Sequence, residues 1–189
     1  MTLHARSTGP VLLEVRTGAW EQMRGRVTPW LATTALLQAT FRRLSEHVAS
    51  SVDEPHIRDY IDEVARTARA HDAVVAELYP AFGLGRARRP VRARGAVLLS
   101  AGRQVAAHLT GGFAGAHGPS WRLMRELMRS NLDAISGFAV TQQLGLALGN
   151  PLAVDLVFPV LQQKQKHQLL LQEYLLEMGA NAVLYHRDA

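Results

Sequence analysis

EPHIRDYIDEVARTARAHDAVVAELYPAFGLG, Glu54 to Gly85, decides the fold class. Its apolar line runs Ile57, Ile61, Val64, Ala68, His71, Val75, Leu78, Phe82, in steps that alternate four and three. That is the seam of one helix lying against others in a bundle, because such steps keep side chains on one face of a 3.6-residue turn. Asp53 is placed to cap the helix, Pro55 suits its first turn, and Gly83 and Gly85 end it. The seam also holds a surprise. His71 stands on the core line, where an aliphatic residue is the ordinary choice.

Working outward, four further segments have helical periodicity and none has strand alternation. One runs from about Thr28 to Ser50, with Pro29 in its first turn and Leu37, Phe41, Leu44 and Val48 as its stripe. A third runs from about Val91 to Leu109, and TGGFAGAHGPS, Thr110 to Ser120, breaks it. A fourth runs from about Ser120 to Leu148, and Gly149-Asn150-Pro151 marks a stop and restart. The fifth runs from about Pro151 to Met178, closed by Gly179. The expected fold is all-α: an up-down four-helix bundle, with the third segment as a shorter helix in the middle crossover. The domain reading is an arm over 1–27, a bundle over 28–179 and a tail over 180–189.

The fifth helix repeats the surprise. Its seam is Val157, Val160, Lys164, His167, Leu171, Tyr174, Met178, so LQQKQKHQLLLQEY (161–174) sends an amine and an imidazole toward the core at mid-helix. A core network of His71, His167, Lys164, Gln38, Gln163 and Asn131 follows. An inward Lys164 needs a carboxylate partner, and Asp133 is the candidate. The alternative is an outward Lys164, its stem buried and its amine wet.

These segments resemble the YciE/YciF-type family of the ferritin-like superfamily. Glu54–Gly85 is similar to that family's second helix, and RGAVLLSAGRQV (94–105) to its linking helix. AISGFAVTQQLGLALGNPLAVDLVFPVLQQKQ (134–165) resembles its last helix pair. The resemblance covers about Leu31 to Met178. It implies a ferritin-like bundle, a dimer, a link to stress responses and inward carboxylates and histidines around two metal ions. The sequence departs from that ligand pattern. Gln162-Gln163-Lys164 stands at the expected Glu-Glu-Lys, Ala68 stands three before His71, Gln38 replaces a glutamate, and only Asp133 lies near the expected acid of the fourth helix.

Two divalent ions in a low-dielectric core need several anionic oxygens, and a lysine ammonium adds charge of the wrong sign. The expectation is therefore a bundle without an intact dinuclear centre and with a non-enzymatic role. The alternative is a metal-binding redox or storage protein. It would hold one iron, manganese or zinc ion through His71 and His167, with Asp133 or Gln38 adding oxygen.

Composition bounds the rest. The chain has no cysteine, which excludes disulfides and thiolate sites. The net charge is +5, almost all of its positive charge arginine. GRARRPVRAR (85–94) clusters Arg88, Arg89, Arg92 and Arg94 and offers a second alternative, an anion or nucleic-acid binding module. No aromatics interleave with it, so a solvated loop is the favoured reading. No apolar run spans a bilayer and no signal-peptide core is present, so a cytoplasmic protein with no membrane partner is expected. Met124, Leu127, Met128, Leu132 and Ile135 spread over more than one face of the fourth helix, which points to a homodimer.

Overall fold

The computed structural model describes residues 20–85 and 120–185. Among these residues the chain is all-helical: α1 Trp20–Ala49, α2 Pro55–Ala81, α3 Ser120–Ala147 and α4 Pro151–Tyr185. The third segment, 91–109, and Arg88, Arg89, Arg92 and Arg94 lie outside the described residues.

The helices form a square in which α1 packs on α2 and α3, and α4 packs on α3 and α2. Their directions follow from cross-helix bonds. At one end Ser120 Oγ donates to the Ser51 carbonyl, 3.0 Å, and His56 meets Glu177, 3.2 Å. At the other end Trp30 Nε1 donates to Thr141 Oγ1, 3.2 Å, and Asn150 Nδ2 donates to the Ala81 carbonyl, 2.8 Å. Each packed pair is therefore antiparallel, but α2 and α3 both start at the first end and run parallel. The order is up-down-down-up rather than simple alternation. The end of α2 and the start of α3 therefore lie at opposite ends of the bundle.

Helix ends show why local signals misplace boundaries. α1 begins at Trp20, well before Pro29, which is inside the helix. Val27 and Leu31 are buried in the core, so tertiary packing carries the helix through a residue that lacks a backbone N–H. Asp53 does not cap α2. The N-cap is Glu54, in extended backbone, with no side-chain cap bond and Pro55 following. Gly179 does not close α4, which continues to Tyr185 and takes up part of the expected tail; Gly in a helix interior costs only about 1 kcal/mol. The α3–α4 corner is built as read. Gly149 takes the left-handed conformation at φ 61°, and Asn150 Oδ1 accepts from Ala153 N–H at 3.2 Å.

The apolar core is in two parts. One, toward the Ser51–Ser120 end, holds Phe41, Leu44, Ile57, Ile61, Met124 and Leu171 among others. The other, toward the Ala81–Asn150 end, holds Leu31, Val75, Leu78, Phe138 and Val157 among others. What lies between them is polar.

Candidate functional site

Every helix crosses from one apolar cluster to the other, and near each crossing it buries a polar side chain: Gln38 on α1, His71 on α2, Asn131 on α3, Lys164 and His167 on α4. The seams dictate this placement. On α2, His71 follows Ala68 and precedes Val75; on α4, Lys164 and His167 sit between Val160 and Leu171. The polar layer thus lies at mid-height of the bundle, with aromatic rings against it.

Lys164 is its centre. The side chain has no solvent exposure. Its Nζ lies 4.0 Å from the Phe41 ring centroid and 5.7 Å from that of Phe138. A cation over a ring face gains about 1–2 kcal/mol when desolvated. That is much less than burial costs an ammonium. Nζ has no hydrogen-bond partner among the described residues. Burial therefore pushes the amine down to about 7, against an upward pull from Asp72. Asp72 is a distant counter-charge at best, because its Oδ2 already accepts from Arg42 Nε at 2.7 Å.

The two histidines are neutral. Burial, then the charges of Lys164 and His167, push His71 down to about 3. Burial, then Lys164 and Lys166, push His167 down to about 4. Gln163 Nε2 lies 2.9 Å from His167 Nε2. With the amide donating, the ring proton sits on Nδ1, and that atom has no partner among the described residues. His71 Nδ1 is also without one, and its ring meets Phe138 edge-on at 6.4 Å.

The amides bind backbone. Gln38 Nε2 donates to the Ala68 carbonyl at 2.8 Å, and Asn131 Nδ2 donates to the Lys164 carbonyl at 2.9 Å and to Gln168 Oε1 at 3.0 Å. Their amide oxygens remain unpartnered among the described residues. Tyr60 flanks the layer, its ring 6.1 Å from His167 and its phenol pushed up by burial, with Glu63 and Tyr174 adding to the shift.

His71, Lys164 and His167 are buried where the α2 and α4 seams put them, while Gln38 and Asn131 are buried at positions outside the stripes read from the sequence, and Gln163 is half-buried beside His167. Asp133 is not among them. It lies on the exposed face of α3, two residues past Asn131, a step that carries a helical side chain to the far side. It is neither the counter-ion of Lys164 nor an oxygen ligand. Sequence reasoning missed Tyr60, Gln168 and the Arg42–Asp72 pair. Phe41 was legible as a seam residue and Phe138 was not singled out, and nothing in a seam says that an amine rests on either ring.

The donor set does not fit a dinuclear metal centre. Among the described residues it offers two imidazoles, the neutral amides of Gln38, Asn131 and Gln163, an amine, and no carboxylate. Among the described residues no three His, Asp or Glu side chains are grouped so as to hold an ion. No described helix is long and apolar enough to cross a membrane.

A second feature lies on the outside. The large exposed hydrophobic side chains among the described residues all sit on α3 and α4; Leu132, Val140, Phe158, Leu169 and Leu176 are examples. Met124 and Leu127, expected at this face, are in the core instead.

Comparisons with protein-family models, curated proteins and solved structures find no match to this chain.

Proposed function

We propose that this chain is a ferritin-like bundle of the YciE/YciF type that works without a dinuclear metal centre, as a non-enzymatic, self-associating protein. Lys164 carries the reading. Its amine is buried at the middle of the bundle, between two histidines, where a bundle of that type holds its metal ions. A side-chain cation there excludes nearby cations by like-charge repulsion and supplies none of the oxygen donors they need.

The helix order supports the scaffold part of the proposal. Two antiparallel hairpins joined by one long crossover make the ferritin-like arrangement. The stress-related setting follows from the resemblance alone. Self-association is supported by the exposed apolar stripe of α3 and α4, on which Phe158, Leu169 and Leu176 are spaced by whole numbers of helical turns.

Elemental analysis of protein purified without chelator or metal-affinity steps tests the core of the proposal. The expected result is no stoichiometric transition metal. About two ions per chain, lost in His71→Ala and His167→Ala, would overturn it. One ion per chain lost in both variants would favour the mononuclear reading.

A further inference from the structure

The outward line of α4 has a two-fold order. Phe158, Gln162, Gln165, Leu169, Gln172 and Leu176 are all exposed and follow one another in steps of four and three, so they share one face of the helix. About the level of His167, Phe158 mirrors Leu176, Gln162 mirrors Gln172 and Gln165 mirrors Leu169. None of the six is charged. Two antiparallel copies of this line set apolar side chains together at both ends and amides together between them, the self-complementarity that an isologous contact needs. α3 fits the same axis. Asn131 bonds α4 at the Lys164 carbonyl and at Gln168, 2.9 and 3.0 Å, so its level is that of the α4 centre. Leu132 follows it and is more than half exposed; a two-fold at this level sets Leu132 against its own copy. Arg129 and Asp133 stand two residues on either side of Asn131, on one exposed flank of α3. The same axis brings each Arg129 to the level of the partner's Asp133, so unlike charges meet twice.

We infer that the α3–α4 face is covered by a second copy of this chain, α4 lying antiparallel on the partner's α4 and α3 on the partner's α3, with the two-fold axis at the level of Asn131 and His167. The inference rests on the proposed self-association and adds its geometry and register. The face is large enough. α3 has 28 residues, so two helices side by side present about 42 Å by about 20 Å, against the roughly 800 Å² that each partner buries in a standard interface. An unrelated partner gives no reason for the mirrored order on α4 or for the Arg129–Asp133 spacing about the same level.

The chain has no cysteine, so introduced thiols report contacts without background. Gln162→Cys, Gln172→Cys, the double variant Gln162→Cys/Gln172→Cys and Leu132→Cys are treated with a short bismaleimide, with sedimentation equilibrium of the untreated proteins beside it. All three positions are exposed, and circular dichroism checks that helicity is kept. In the inferred register positions 162 and 172 of the two chains meet, whereas each lies about 15 Å along the axis from its own copy. The expected result is a covalent dimer in the double variant and in Leu132→Cys, and none in either glutamine single. A dimer by sedimentation that crosslinks in the singles, or that lacks either expected crosslink, would overturn the register and leave self-association standing. A monomer at every concentration would overturn both and assign the stripe to a different protein. Charge exchange provides a second reading. Arg129→Asp should weaken the dimer roughly tenfold, and Arg129→Asp/Asp133→Arg should restore it. An unchanged dissociation constant in the single, or no recovery in the double, would overturn the inference as well.

Discussion

Lys164→Met should make this protein more stable, and by an amount that depends on pH. The variant keeps an unbranched side chain of similar length in a position with no solvent exposure and removes the amine. Burial and the carboxylate of Asp72 on α2 set the amine's charge; Asp133 on α3 faces solvent. Burial is the largest influence and lowers the amine from 10.5 to about 7. The native state therefore binds fewer protons than the unfolded chain between those values, so stability rises with pH across that window. It reaches its full value above 10.5 and is lost as pH falls to 7.

At 1.36 kcal/mol per pH unit, the full shift is worth on the order of 5 kcal/mol, and the part between pH 7 and 9.5 about 3 kcal/mol. Methionine forfeits the cation–ring contact and packs imperfectly, which costs about 1–2 kcal/mol. The net expectation at pH 7 is a gain of about 2–4 kcal/mol, or roughly 1–2 M in urea midpoint. Urea unfolding followed by circular dichroism, at half-unit steps from pH 6.5 to 9.5, measures it. The difference between the two proteins cancels the titration of surface groups. It should be largest at low pH and shrink steadily toward pH 9.5. A variant less stable than wild type at pH 7, or a difference that stays constant across the range, would refute the reasoning.

Other expectations concern the same layer and its frame. His71 and His167, held down to about 3 and about 4, are neutral when folded. They contribute stability above pH 6.5 that is lost as pH falls toward those values, so acid unfolding should begin below 6.5 and move to lower pH in His71→Leu, followed by circular dichroism. Gly149→Ala places a Cβ on a left-handed backbone at φ 61° and should lower stability by about 1 kcal/mol in urea unfolding. Asn150→Ala removes both the α4 cap and the bond to the Ala81 carbonyl; the expected loss is about 1–2 kcal/mol, read as a lower thermal midpoint. On the proposed self-association, Leu169→Glu with Leu176→Glu should lower the sedimentation coefficient without loss of helicity; an unchanged coefficient would count against the α4 stripe as an interface.

The seam of α2 was legible because burial obeys helical period. Ile57, Ile61, Val64, Ala68, His71, Val75, Leu78 and Phe82 are all buried. The same period placed Lys164 and His167 inward on α4. Boundaries were less legible: Pro29 marks an end locally, but packing of Val27 and Leu31 overrides it, and α4 runs on past Gly179 to Tyr185 at a cost of only about 1 kcal/mol for the glycine. Helix direction was not legible either. A connection's length permits an antiparallel neighbour or a crossover, and only contacts such as Ser51–Ser120 decide. Asp133 shows the limit for the site. The sequence lists the acids near a helix level, whereas phase about the helix axis, two residues past an inward Asn131, decides whether one can reach the core.

The polar layer is costly for the bundle, and that cost separates explanations for it. A buried polar group can fix helix register, as a single core asparagine does in coiled coils. Asn131 meets that description, since it bonds the backbone of the neighbouring helix at Lys164. Lys164 does not. Its amine makes no directional bond among the described residues and rests on ring faces, which tolerate sliding. Its stem would specify register equally well as methionine. A residue that adds a large desolvation cost and no geometric constraint is not explained by how the helices align. The Asn131→Leu and Lys164→Met pair makes the distinction measurable. Loss of the amide should broaden the amide proton spectrum, as register loosens. Loss of the amine should leave the spectrum sharp while the protein becomes more stable.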